Sequence, residues 1–180
     1  MVPTLETPRL LLFPLTLADA EQTQRIFPQW EIVKYLADIV PWPYPADGAF
    51  THYRDELLPA VERGERWSWS LRLKSDPQNM IGSISLQCRE GNNRGFWIAP
   101  EHQRQGLMTE ACEVVTDYWF NTLKFPVLRV PKAAPNVGSR RISEKQGLRM
   151  THSEERDFVS GRYLAETWEI TADEWNARRK

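Results

Sequence analysis

Strand period gives way to helix period in the middle of this chain across one short polar loop. An apolar, aromatic run, Gly95-Phe96-Trp97-Ile98-Ala99, leads into Glu101-His102-Gln103-Arg104-Gln105-Gly106, and a helical pattern starts at Leu107. Apolar residues recur at Leu107, Ala111, Val114, Val115 and Tyr118, the spacing of a helix with one core-facing side. A strand that passes so directly into an amphipathic helix predicts a layered α/β arrangement, with the helix packed back on a sheet.

The join carries chemistry as well as geometry. A helix starts with about four backbone N–H groups that lack an internal partner, and its macrodipole makes that end positive. Gly106 can take positive φ, so consecutive N–H groups can share one concavity, and the charge of Arg104 reinforces it. Such a loop suits a pyrophosphate. It is not the nucleoside-triphosphate loop, because no Gly-Lys-Ser/Thr follows, nor the dinucleotide fingerprint, which needs further glycines. An ordinary strand-to-helix turn satisfies the same local pattern, so the loop alone leaves both readings open.

The rest of the chain narrows the setting. At 180 residues, with 41% hydrophobic and 26% charged residues, it has enough material for one globular core, and one domain spanning 1–180 is expected. A net charge of −1 without a basic stripe argues against a nucleic-acid partner. No apolar run approaches the roughly 18 residues that cross a bilayer, and the first residues lack a signal-peptide pattern. Cys88 and Cys112 have neither metal-ligand spacing nor a disulfide framework. A cytoplasmic, reduced protein without metal or membrane contact is the expectation.

Along the chain, Arg9–Pro14 reads as a short strand, and Thr16 with Asp19 caps a helix running to about Phe27. Asp38 to Asp47, with Pro41, Pro43 and Pro45 around Trp42 and Tyr44, is a shaped loop. Asp47 is placed to cap a helix through His52 and Leu57 towards Glu62. Trp67-Ser68-Trp69-Ser70-Leu71-Arg72-Leu73-Lys74 alternates as a half-buried strand, Ser75–Asn79 reads as a turn, and Met80–Gln87 closes the hairpin. A strand at Val127–Val130 precedes a helix capped by Asn136, running through Ile142 and stopped at Gly147. Strands around Met150–Phe158 and Tyr163–Ile170 flank Ser160-Gly161, and Asp173–Lys180 forms a terminal helix.

Asn136-Val137-Gly138-Ser139 with Glu144-Lys145-Gln146-Gly147 is the second constellation. Together with Gln103-x-x-Gly106-x-Met108-Thr109-Glu110-Ala111 and the preceding Gly95-Phe96-Trp97-Ile98, it resembles the GCN5-related N-acetyltransferases. The opening Glu6-Thr7-Pro8-Arg9-Leu10-Leu11-Leu12 adds a likeness to the branch that acetylates ribosomal-protein N-termini. The resemblance spans nearly the whole chain. It implies a mostly antiparallel twisted sheet of about seven strands, splayed at the fourth and fifth, with helices on both faces.

It also implies acetyl-CoA as acetyl donor, an amine acceptor (a peptide N-terminus or a small molecule), and a monomer or homodimer. Trp97, Ile98 and Ala99 would border the pantetheine arm, with the Ile98 N–H stabilising the developing oxyanion. Gln103, Arg104, Gln105, Gly106, Leu107 and Met108 would wrap the pyrophosphate, with Thr109 in the first helical turn. Asn136 matches the family position that contacts pantetheine, and Ser139 the place of a hydroxyl that protonates the departing thiolate. As a plain sequence pattern, Asn136 and Ser139 are equally a helix cap.

The chain departs from the family where the acceptor is handled. Asn93 and Thr151 stand where acidic residues are common in the ribosomal branch, and neither deprotonates an ammonium. His152, Glu155 and Glu166 are the remaining candidates for a base. Trp42, Tyr44, Tyr35 and Glu155, from the proline-rich loop, its approach and the last hairpin, are the expected acceptor walls. Three activities stay open at this point: a peptide N-terminal acetyltransferase, a small-amine (polyamine, amino acid or aminoglycoside) acetyltransferase, and an acyl-CoA-binding module without turnover.

Overall fold

The computed structural model describes residues 1–179. Five strands follow one another antiparallel in chain order: β1 (Leu5–Glu6), β2 (Leu10–Pro14), β3 (Arg66–Leu73), β4 (Asp76–Gln87) and β5 (Arg94–Ile98). A second antiparallel sheet holds β6 (Val127–Ala133), β7 (Arg149–Phe158) and β8 (Gly161–Thr171) in the order β6-β8-β7. Connecting helices are α1 (Ala20–Ile26), α2 (Trp30–Val33), α3 (Gly48–His52) and α4 (Leu58–Glu62) in the first half, with a wide turn over Tyr53–Leu57 between the last two. The second half has α5 (Leu107–Asp117), α6 (Val137–Lys145) and α7 (Ala172–Ala177). Among the described residues no helix is long and apolar enough to cross a membrane.

Each sheet face has its own helical layer. Leu107, Met108, Ala111, Cys112 and Val115 of α5 pack with Trp69, Leu71, Ile84 and Leu86 of the first sheet and Leu128, Val130, Trp168 and Ile170 of the second. One helix therefore bridges both sheets, as its apolar period requires. The opposite face carries Leu15, Ala20, Ala49, Tyr53, Leu57 and Met80 from α1, α3, the wide turn and β4.

The two sheets touch at one end and part at the other. Where they touch, the Asn93 N–H donates to the Arg129 carbonyl and the Arg129 N–H to Asn93 Oδ1, both at 2.8 Å. Asn93 Nδ2 also donates to the carbonyls of Gln87 (3.2 Å) and Arg89 (3.0 Å). Past this clamp β5 and β6 belong to different sheets, which is the expected splay. They are the fourth and fifth strands when the two-residue β1 is left out of the count; among the described residues there are eight strands. Asn93, at the position where the ribosomal branch often has an acid, is a buried tie between sheets.

Local departures have local reasons. The Ser75–Asn79 turn is tighter than expected: Leu73 already pairs with Asp76, and register shifts at Leu71/Arg72 and Arg72/Leu73 let β4 start early. Asp47 precedes α3 without a side-chain cap. The terminal helix ends at Ala177, and Lys180 lies outside the described residues. The largest surprise is the Trp67–Lys74 alternation, which predicts one wet face. Both faces are covered: Trp69 and Leu71 on one side, Ser68 and Ser70 on the other, all at most 1% exposed. The hydroxyl face turns towards the α1–α4 layer, and Ser68 and Ser85 satisfy each other at 2.8 Å.

Candidate active site

A cleft of about 620 Å³ opens where β5 and β6 part. Its floor is Phe96, Trp97 and Ile98; one wall is the Gln103–Thr109 loop and helix start, the other Pro135–Ser139 with Arg141, Ile142 and Lys145. Gly106 has φ +77° and caps α5, and Arg104 also adopts positive φ (60°), so two left-handed residues turn the loop onto the helix end. Gln103 Nε2 donates to the Ile98 carbonyl at 3.2 Å, tying loop to strand.

The strand edge follows from the ladder. Ala99 donates to the Ile81 carbonyl at 2.8 Å, and N–H groups alternate sides along an antiparallel pair, so those of Ile98 and Phe96 face away from β4. Gly82 lets β4 approach: a Cβ there would lie 2.4 Å from the Trp97 carbonyl oxygen and 3.0 Å from Ile98 Cα.

The cleft is electropositive. Lys34, Arg104, Arg141 and Lys145 line it against one carboxylate, Glu31, which is already paired to Lys34 at 2.7 Å. Helix-start donors, four cations and an unpaired strand edge fit a long ligand with an anionic head and an amide-bearing arm.

Asn136 caps α6 by accepting from the Ser139 N–H at 3.3 Å. Ser139 Oγ in turn accepts from Lys132 Nζ at 3.2 Å. Lys132, on β6 and 6% exposed, also donates to the Ser139 carbonyl (3.0 Å) and to Ser143 Oγ. Burial, and then the charge of buried Arg94, bring Lys132 down to about 7.

A second cavity of about 200 Å³ lies under the α1–α4 layer and shares Leu36, Phe96 and Trp97 with the cleft. Its polar lining is Thr23, Tyr44, His52, Tyr53, Arg66, Ser83, Ser85 and Gln87. Burial raises Tyr44 to about 12 and also raises Tyr53, so both phenols stay protonated. His52 is lowered by burial and then by the Arg66 charge, while Glu56 stands 3.4 Å from its Nδ1.

Of the residues singled out in the sequence, Trp97, Ile98, Gln103, Arg104, Gly106, Leu107, Met108, Thr109, Asn136 and Ser139 all line the cleft. Ala99 and Gln105 do not: the Ala99 N–H is held by Ile81, and Gln105 Nε2 donates to the Glu101 carbonyl at 2.9 Å. Tyr35 lines the cleft and stands edge-on to Tyr163; Tyr44 lines the second cavity.

Trp42, packed on Trp30, lines neither cavity, and nor does Glu155, which lies exposed on β7 and pairs with Arg162 of β8. The base candidates also fall outside. His152 sits by Glu154 at the surface, and Glu166 accepts from Trp168 Nε1 (3.0 Å) and pairs with Arg140 (3.2 Å). Thr151 Oγ1 bonds the Thr167 carbonyl.

Lys132, Arg66 and His52 escape a motif-based reading. Lys132 had a usable signal: it follows Val130 on the inward face of a strand, a place where a charge needs a reason.

Fold and site together define an acyl-transfer cleft built on a splayed sheet. Residues 9–149 match the family described as Acetyltransferase (GNAT) domain, and the chain belongs to that family. It is an N-acetyltransferase that uses acetyl-CoA to acetylate an amine. The probable N-acetyltransferase YjcK of Bacillus subtilis is 30% identical over 150 residues, covering 75% of this chain and 77% of that protein. The putative ribosomal N-acetyltransferase YdaF of Bacillus subtilis is 32% identical over 89 residues, 46% of this chain and 48% of its own length.

Among solved structures, the ribosomal-protein-S5-alanine acetyltransferase from Vibrio fischeri superposes with a TM-score of 0.81 at 14% identity, covering 96% of this chain and 98% of that one. RimL, a ribosomal alpha-N-protein acetyltransferase solved in complex with coenzyme A, gives 0.80 at 11% identity, covering 94% and 98%.

Proposed function

We infer that the chain acts as a single acetyltransferase unit whose acceptor is the α-amine of a peptide N-terminus, presented through the second cavity. The observation that carries this is the meeting of the two cavities at Leu36, Phe96 and Trp97, beside the strand edge that bears the Ile98 N–H. Two reactants held in cavities that share Phe96 and Trp97 meet in a fixed geometry, a large share of the barrier in any group transfer.

The chain's own groups divide the work. Gln103, Arg104 and Gly106 to Thr109, with Arg141 and Lys145, hold the anionic head of acetyl-CoA. Asn136 and the β5 edge align its arm. The Ile98 N–H receives the charge that develops on the acetyl oxygen as the amine attacks. Ser139 Oγ gives its proton to the departing sulfur, and Lys132 is the positioning residue that orients this hydroxyl and supplies the replacement proton. His52, kept in its neutral base form by burial and the Arg66 charge, is the imidazole lining the acceptor cavity and the group assigned to receive the amine's proton.

The absence of a carboxylate among the residues lining the second cavity speaks against polyamine and aminoglycoside acceptors, which need one. The likeness to ribosomal-protein acetyltransferases speaks for a peptide. Free-thiol release measured with Ser- and Ala-starting peptides, spermidine and an aminoglycoside tests the reading. Turnover is expected with the peptides, and a preference for either polycation would overturn it.

A further inference from the structure

The second cavity holds a cation whose counter-charge the protein does not provide. Arg66 opens β3 opposite Gln87, and Ser68 stands opposite Ser85, so these four share the buried polar face of the sheet. Arg66 Nε donates to Ser68 Oγ at 3.2 Å and Nη2 to Ser85 Oγ at 3.3 Å. Both acceptors are neutral hydroxyls, and a guanidinium carries five N–H donors. Among the described residues, no carboxylate lies within 4 Å of Arg66.

Two other arginines of the sheets are paired with carboxylates, while Arg94 on β5 is enclosed between Thr116 Oγ1 and Gln146 Oε1 and faces neither cavity. Arg72 pairs with Asp19 and Arg129 with Glu169, each at 2.7 Å. Glu56, the acid whose charge bears on Arg66, is turned to His52 and has a side chain 73% exposed. Burial accordingly pulls Arg66 below its ordinary value. A partly buried guanidinium with hydroxyls beside it, facing a cavity, is suited to an anion, and its planar fork matches a carboxylate. The volume of about 200 Å³ suits a group the size of one amino-acid residue.

We propose that Arg66, supported by Ser85 and Ser68, binds a carboxylate of the acceptor, so that the substrate class is a primary amine with a carboxylate about one residue away. This rests on the second cavity being the acceptor site. The shared chemistry has two sources, a free amino acid or an acidic side chain near a peptide N-terminus, and the measurement separates them.

Thiol release is compared for alanine against alaninamide, and for Ser-Asp-starting against Ser-Asn-starting peptides, with the wild type, Arg66→Gln and Arg66→Lys. The carboxylate-bearing member of one pair is expected to lead in kcat/KM on the order of 100-fold. Arg66→Gln should abolish the lead with the KM for acetyl-CoA and the melting temperature unchanged, and Arg66→Lys should retain part of it.

In parallel, glutarate is titrated into the protein while the Arg66 Nε–H resonance, assigned by its loss in Arg66→Gln, is followed by NMR. Saturable movement, with glutarate competitive against the amine, supports the proposal. Turnover of amines with no carboxylate preference and no movement of the resonance overturns the proposal and leaves acetyl transfer standing. Movement with glutarate non-competitive against the amine overturns instead the placing of the acceptor in this cavity.

Discussion

Lys132 directs its three N–H donors to the Ser139 carbonyl, Ser139 Oγ and Ser143 Oγ, with Arg94, Cys112, Glu144 and Glu166 as its charged or titratable surroundings. Its folded value of about 7 lies below the ordinary 10.5. Between those two values the unfolded chain binds more protons, so this lysine makes stability rise with pH across that window. Lys132→Met should remove the slope and, below pH 7, stabilise the fold by on the order of a few kcal/mol, measured by denaturant titration at several pH values. Its catalytic effect has the opposite sign. The ammonium that supports Ser139 disappears as pH rises through about 7, so kcat should lose a limb there, and Lys132→Met should have a lower, flat profile. A limb that survives the substitution would assign it to another group.

Gly82 is the other residue at which one atom decides. A methyl there meets the Trp97 carbonyl at 2.4 Å, and backbone cannot yield as a side-chain tip does. Gly82→Ala should shift β5, cost roughly 1–3 kcal/mol, and lower kcat more than it raises the KM for acetyl-CoA. Wild-type kcat in this variant would show that the Ile98 N–H has no exacting position.

At the level of elements, the site exists because β5 and β6 are held at one end only. Asn93 makes that hold with two bonds to Arg129, while its Nδ2 anchors it to Gln87 and Arg89 on its own side, and α5 spans the gap below. Asn93→Leu strands two carbonyls and an N–H that are buried or half-buried, each worth about 1 kcal/mol or more. A loss of about 3 kcal/mol, with reduced kcat, is expected from chemical denaturation and steady-state rates. Unchanged stability would mean that α5 alone keeps the sheets aligned. The serine face of β3 and β4 belongs to this scale too. A two-residue alternation records that two faces differ, and it does not record whether the polar one meets water or a second layer of helices.

For the whole molecule, four cations around the cleft against one paired carboxylate predict a binding step that salt weakens. Acetyl-CoA at 100 times its Kd should add about 2.7 kcal/mol to folding stability, seen as a rise in Tm. Its Kd, by calorimetry, should increase several-fold between low and high ionic strength. A salt-independent Kd would remove the electropositive wall from the account of binding.

The parts of this protein legible from sequence alone are those made by neighbours along the chain. The Gln103–Gly106 turn, the α5 start, the Asn136 cap on Ser139 and the strand Phe96–Ile98 are each assembled within about ten residues, so local periods and caps expose them, and with them the donor side of the reaction. The second cavity and the Arg66 site are decided only in three dimensions, and the splay is expected from the family likeness and not from any local pattern. Arg66 meets Ser85, His52 and Tyr53 from different strands and helices, and the pairing that brings them together leaves no trace in the local pattern of any one segment. Trp42 and Glu155 mark the same boundary from the other side: aromatic and acidic residues in suitable loops, which the packing turns away from both cavities. Local physics settles which group is given; tertiary contact settles what can receive it, because a buried charge acquires its chemistry from neighbours distant in the chain.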